Sequence, residues 1–370
     1  MKFIILKENL KNALSAVERV VTENNNLPIL RNVLLKADSH IKVAATNLEI
    51  GVTCLTAGKI TENGSLTIPF APLYNIISGS DSERINIITD KNTLIIKTDN
   101  YEAKIQGVNE EEFPIIPKIE NNNHYFEIEG QVFKESIQQI ISAAQFSEIK
   151  PELSGVLFDF QVTALKLVAT DSFRLAEKIL LQNSFKTTIP KGCKIIIPLK
   201  TIQEVVRIFP NSEKIKIYID PHQILFQTDS LQLISRLIDG TYPDYQSIIP
   251  KTIETELVMD KEQFVTGIKL VSNFSGKTSD IRLKIPKDNK VLEIYSANQY
   301  LGENNYLIPA KKKGEGFTEV SFNWRYLTDG LKSVFTKQVV FGVNGDTKPA
   351  ILKPVEDESV LYIVMPTKTS

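Results

Sequence analysis

Thr170, Asp171, Ser172 and Arg174 bring two hydroxyls, a carboxylate and a guanidinium together within five residues, flanked by the apolar Phe173 and Leu175. Such a set could hold a phosphate or a metal ion, or recognise a peptide by a cation placed between apolar surfaces. The short oxygens of Thr, Asp and Ser also bond neighbouring backbone amides, so the same residues read equally well as turn chemistry. With the strand-like lead-in Leu165–Val168, the stretch predicts a corner at which Phe173, Arg174 and Leu175 emerge exposed. The competing reading is a plain strand–turn–strand connection with Arg174 solvated.

Other chemistry is scarce. His40, His124 and His222 are scattered through polar, turn-like sequence without paired spacing, which leaves a histidine metal site or a Ser-His-Asp triad without its raw material. Cys54 and Cys193 sit in separate hydrophobic runs and read as reduced core thiols rather than as a disulfide or a metal site. No Gly-rich phosphate loop is present. No cofactor, metal or catalytic residue is therefore expected. With 43 Lys and Arg against 44 Asp and Glu, the net charge of −1 excludes a broadly basic surface, so any contact with DNA must come from where charges are placed. No apolar run approaches the roughly 20 residues that span a bilayer. Met1–Lys7 is too short and too soon charged for a secretion signal, so the expected location is the cytoplasm, without membrane contact.

A chain of 370 residues has room for two or three domains, and its internal periods point to three. Phe3 with Leu10, Phe126 with Phe133, and Leu257 with Phe264 each place a strand residue seven positions before the first apolar residue of a helix pattern. Leu10, Leu14, Val17 and Val21 trace one helix face; Phe133, Ile137, Ile140 and Ala144 repeat it, and Phe264, Ile268 and Val271 follow. Ala45-Thr46-Asn47 corresponds to Ala169-Thr170-Asp171 and, more weakly, to Ser296-Ala297-Asn298. Pro69 and Pro198 are 129 positions apart, as are Pro114 and Pro243. These landmarks divide the chain into domains at 1–122, 123–250 and 251–370, with polar or proline-marked joints near Asn121–Asn123 and Pro250-Lys251.

Each third reads as strand–helix–strand–strand–strand, twice. In the first, strands are expected near Phe3–Leu6, Leu30–Leu35, Ile41–Ala45, Leu48–Leu55, Leu66–Ile68, Ile85–Ile88, Leu94–Lys97 and Ala103–Gln106, with helices from about Glu8 and at Pro72. The fold class is α+β: three repeated domains, each two helices against antiparallel sheets. Sheet edges at the two ends of such a row need cover, which an arc closing against a second copy supplies. Helix-borne Lys11, Arg19, Lys200, Arg207, Lys269, Lys277 and Lys332 would line a weakly positive inner wall that meets phosphates without reading bases, while Asn109–Glu112 marks an acidic outside.

The threefold repeat resembles that of the β subunits of bacterial DNA polymerase III, the sliding clamps, along essentially the whole chain. The residues that carry the resemblance are Leu27-Pro28-Ile29-Leu30, Ala169-Thr170-Asp171 with Arg174-Leu175-Ala176, Asp239-Gly240 with Tyr242-Pro243-Asp244-Tyr245, and Val364-Met365-Pro366. The resemblance implies a head-to-tail homodimer forming a DNA clamp ring around duplex DNA, without sequence preference. Its dimer contact would include Ala103, Ile105, Leu270 and Val271. It also implies a pocket for short linear motifs of the polymerase III α subunit, the clamp loader, other polymerases and mismatch-repair proteins. That pocket falls on Leu153, Thr170, Ser172, Phe173, Arg174, Leu175, Pro243 and Ile248, with Asn323, Tyr326, Thr347, Pro349, Ile363, Met365 and Thr367. Arg174 and Asn323 would hold peptide oxygens there, beside adaptable apolar surface.

Four positions depart from the family pattern. Ser172 replaces a common glycine, Phe173 a common histidine, Thr367 a larger apolar residue, and Asn24 a basic residue near DNA. They bear on motif preference and on one DNA contact, not on the fold. Two other classes compete with the clamp: a hydrolase built on Asp171 and Arg174, which lacks a second acid or a base, and a repeat scaffold unrelated to DNA.

Overall fold

The computed structural model describes residues 1–22, 26–119, 124–285 and 290–367; Asn24 and the Asn121–Asn123 joint lie outside them. Six α-helices occur among these residues, one for each half-repeat: α1 (Lys7–Val17), α2 (Phe70–Gly79), α3 (Gly130–Gln138), α4 (Leu199–Ile208), α5 (Lys261–Val271) and α6 (Trp324–Ser333). Apolar spacing explains them. α1 buries Leu10, Ala13, Leu14 and Val17 on one face, and α5 buries Phe264, Gly267, Ile268 and Val271. Asp260 caps α5 by accepting from the Gln263 amide, and Asn323 caps α6 by accepting from that of Arg325. The expected stripes run on too far: α1 stops at Val17, leaving Val21 beyond the helix, and after α3 it is Ile140 and Ala143, not Ala144, that are buried.

The chain divides into two compact units. Unit 1 holds residues 1–131, 186–189 and 203–237; unit 2 holds 132–185, 190–202 and Ile238 onward. All strands pair antiparallel. Unit 1 contains a five-stranded sheet, in the order 59–62, 2–6, 84–90, 93–97, 102–106. Its nine-stranded sheet runs 185–187, 125–129, 214–220, 223–227, 231–236, 50–56, 41–46, 32–37, 64–69. Unit 2 contains a nine-stranded sheet, 194–198, 155–160, 164–170, 174–181, 360–364, 350–354, 338–343, 255–260, 311–314, and a four-stranded one, 302–309, 291–298, 280–285, 317–323. The sheets are thus not private to each repeat. Strand 231–236 of the second repeat pairs with 50–56 of the first, and 360–364 of the third with 174–181 of the second.

Three strands escape the sequence reading: 59–62, 185–187 and 311–314. They are short and largely exposed, and each lies at the edge of its sheet, so no buried face imposes alternation. Elsewhere the alternation is plain, with Ile85 and Ile87, then Leu94 and Ile96, fully buried on adjacent strands. The cores are aromatic at their centres. Phe264 and Phe322 both meet the Phe341 ring, at 5.6 and 5.9 Å between centroids, and each such burial contributes roughly 2 kcal/mol.

Candidate peptide-docking site

The stretch from Thr170 to Leu175 joins strands 164–170 and 174–181 of unit 2. Its turn is self-contained. Asp171 Oδ1 accepts from the amides of Phe173 (2.9 Å) and Arg174 (3.0 Å), while Thr170 Oγ1 accepts from the Ser172 amide (3.2 Å) and donates to the Arg174 carbonyl (2.6 Å). Ser172 sits at φ 79°, in the left-handed region, which costs a non-glycine residue roughly 1 kcal/mol. The same network recurs in unit 1. There Asn47 Oδ1 accepts from Glu49 and Ile50, Thr46 Oγ1 accepts from Leu48 and donates to Ile50, and Leu48 has φ 75°. Asn298 Oδ1 likewise accepts from Tyr300 and Leu301. Thr170 and Asp171 therefore shape the corner, as the repeats shape it everywhere.

The corner is less exposed than its polarity suggests. Leu175 is fully buried in a cluster with Leu157, Val168, Ile196, Tyr245 and Ile363. Arg174 is neither solvated nor free for a peptide: its side chain is 10% exposed, Nε meets Asp171 Oδ2 at 2.9 Å, and Nη1 meets Asp329 Oδ2 at 2.5 Å. Its guanidinium also lies 4.4 Å from the centroid of the Tyr326 ring. Burial disfavours the cation, but Tyr362, Asp329 and Asp171 more than offset this and hold its pKa above the ordinary value. Arg174 thereby ties strand 174–181 to α6 across the seam with strand 360–364.

Of the fifteen pocket residues expected, Leu153, Thr170, Leu175 and Ile363 are buried at 5% exposure or less and can only support the surface. Phe173 (61%) and Ile248 (46%) are the large apolar side chains open to solvent, with Ser172, Pro243 and Thr347 also exposed. Asn323, Tyr326, Pro349, Met365 and Thr367 are half-buried. Asn323 has its side-chain oxygen engaged as the α6 cap, so it offers a peptide less than expected. The chain's last described stretch is held beside the corner: the Met365 amide donates to the Phe173 carbonyl (2.9 Å) and the Thr367 amide to that of Ser321 (2.8 Å). A cation the sequence reading missed, Lys150, reaches Ser172 Oγ at 3.3 Å. It comes from a separate loop, and no spacing in the sequence links it to the corner.

This surface suits docking better than bond-breaking. Asp171 has one oxygen on two amides and the other on Arg174, which leaves a hydrolase no free carboxylate. No cluster of three potential metal ligands occurs among the described residues. Cys54 and Cys193 are partly buried free thiols, and burial pushes the Cys54 pKa up to about 11. No helix among the described residues is long and apolar enough to cross a membrane.

The expected DNA-facing and dimer residues divide in the same way. Lys200, Lys269 and Lys277 are exposed, Lys11 is half-buried, and Arg19, with its side chain 66% exposed, lies 3.9 Å from Glu204. Arg207 is committed elsewhere: it pairs with Glu204 at 2.7 Å and donates to the Ser15 and Ala16 carbonyls at the end of α1. Lys332 pairs with Asp329 at 2.8 Å. Leu270 is 50% exposed, whereas Val271 is fully buried under α5 and is not available for a contact between copies; Ile105 is 8% exposed and Ala103 half-buried.

Three family models match in succession: the DNA polymerase III beta subunit N-terminal domain at residues 1–117, its central domain at 127–244 and its C-terminal domain at 246–368. The beta sliding clamp of Synechococcus elongatus is 28% identical over 380 aligned positions, covering 99% of both chains. That of Staphylococcus aureus is 27% identical over 381, covering all of both. Among solved structures, the DNA polymerase sliding clamp of Bacillus subtilis superposes over the full length of both chains with a TM-score of 0.92 at 26% identity. A Pseudomonas aeruginosa sliding clamp bound to griselimycin does so at 0.93 and 26%.

Proposed function

Because the chain belongs to the DNA polymerase III β-subunit family and is a DNA sliding clamp, a non-enzymatic processivity factor, we propose that two copies close head to tail around duplex DNA. The observation that carries this is the strand count. Two seams inside the chain each complete a nine-stranded sheet, whereas the five-stranded sheet stops at 102–106 and the four-stranded one at 302–309. Those two edges, joined between copies, make nine strands again and leave neither edge bare. The domains run 1–122, 123–250 and 251–370, a division supported by the breaks between the matched family models.

In this reading the ring holds DNA by topology, with Lys11, Arg19, Lys200, Lys269 and Lys277 meeting phosphates of any sequence. The surface around Phe173, Ile248, Pro243 and Met365 takes short apolar motifs of the polymerase III α subunit, the clamp loader, other polymerases and mismatch-repair proteins, in the cytoplasm. Arg174 positions that surface rather than gripping the peptide. The test is retention. Protein loaded on nicked circular DNA stays bound through gel filtration and is released when the circle is cut. A repeat scaffold shows no retention, and release without cutting refutes the closed ring.

A further inference from the structure

Unit 1 contains a cavity of about 410 Å³ where residues 116–119 face the seam between strands 50–56 and 231–236. Its polar lining is Lys42, Thr53, Lys118, Gln227 and Gln232. Unit 2 shows what fills the same place in the next repeat. Thr46-Asn47 matches Thr170-Asp171, which puts Lys42 at the place of Lys166, Gly51 at that of Leu175 and Thr53 at that of Glu177; the matched Pro114 and Pro243 put Ile116 at that of Tyr245. In unit 2 these residues close on one another. Lys166 Nζ lies 3.2 Å from Glu177 Oε2, the Tyr245 hydroxyl donates to the same oxygen at 2.8 Å, and Tyr245 and Leu175 are buried in one cluster.

Unit 1 keeps the cation and cuts back everything that met it. Ile116 has moved in against Gly51, where an added Cβ would stand 2.7 Å from its Cγ2, but it carries no ring or hydroxyl, and Thr53 carries no carboxylate. Lys42 forms no ion pair among the described residues, while the nearby Lys36 takes Glu110 at 2.8 Å. Burial first, then the charges of Lys118 and Lys36, lower the Lys42 pKa against the opposing pull of Asp38 and Glu110, as suits a half-buried cation with no close counter-ion. From the two arrangements we infer that the cavity binds a small organic acid, its carboxylate in the place of the Glu177 side chain and its apolar or aromatic body in that of the Tyr245 ring. Lys42 meets the carboxylate, and Thr53 and Gln232, directly opposite each other across the seam, supply a hydroxyl and an amide as further donors. Lys118 stands exposed beside them, and the body lies against Ile116, Leu225 and Ile234. The volume falls within the range of small-molecule sites.

Methyl NMR of the full chain titrated with 3-phenylpropionate tests this. The Ile116, Ile234 and Leu225 methyl signals shift and saturate with a dissociation constant on the order of 1 mM, and 3-phenylpropionamide, the same shape without the charge, binds at least about tenfold more weakly. Lys42→Met weakens the acid by roughly tenfold or more. Thr53→Glu supplies the carboxylate from within, as Glu177 does, and abolishes binding; unchanged methyl signals elsewhere show that both variants are folded. N-acetyl-Glu-Phe-amide carries the same groups on a peptide, and tighter binding of it than of the free acid overturns the small-molecule reading in favour of an acidic peptide segment. Equal affinity for acid and amide, undiminished affinity in Lys42→Met, or no saturation at these methyls by about 20 mM overturns the site itself.

Discussion

Asp171 divides its two oxygens between backbone and side chain, and the division can be measured. Asparagine holds the equivalent place in the other two repeats, where its oxygen makes the same pair of amide bonds. Asp171→Asn should keep the turn and lose only the anchoring of Arg174, at about 1–2 kcal/mol, whereas Asp171→Ala loses both and should cost about 3 kcal/mol. Urea unfolding checks the difference; equal costs would mean that the backbone bonds contribute nothing. Ser172 carries the strain of this arrangement, and its hydroxyl makes an exposed contact with Lys150 that contributes little to stability, so Ser172→Gly is expected to be neutral or mildly stabilising.

At the scale of elements, α6 approaches strand 360–364 unusually closely. A Cβ on Gly330 would stand 2.5 Å from the Tyr362 ring and 2.7 Å from Leu352, so the helix seats where it does because that residue has no side chain. Gly330→Ala should destabilise unit 2 by about 1–3 kcal/mol and, by shifting Tyr326 and Asp329, weaken binding of a Gln-Leu-rich peptide. Phe173→Ala should weaken the same peptide by roughly thirtyfold with no loss of stability, as truncation of an exposed aromatic anchor does. Calorimetry on both variants separates seating from contact. The helices and most strands were legible in the sequence because burial on one face writes a period of 3.6 or 2. The short edge strands were not, because nothing is buried on them. The corner was legible as a turn, from the local bonding of Thr170 and Asp171, but not as a tether. The partner of Arg174, Asp329, is 155 positions away on another element, and no local spacing records it.

For the whole molecule, a net charge of −1 and the few exposed cations proposed to face DNA predict a weak grip on open DNA. With about five phosphate contacts, affinity for linear duplex should fall roughly a hundredfold or more between 50 and 200 mM salt, as read by fluorescence anisotropy. Salt-insensitive or sequence-specific binding would refute a phosphate-only contact. In the proposed ring, two of the three kinds of sheet junction lie within one covalent chain, and only the junction from strand 102–106 to strand 302–309 of another copy depends on meeting another molecule. Mass action therefore governs this closure alone. In that ring, dilution below the dissociation constant is expected to give open halves that keep both nine-stranded sheets, so copy number per cell would set how much protein stands ready as closed ring.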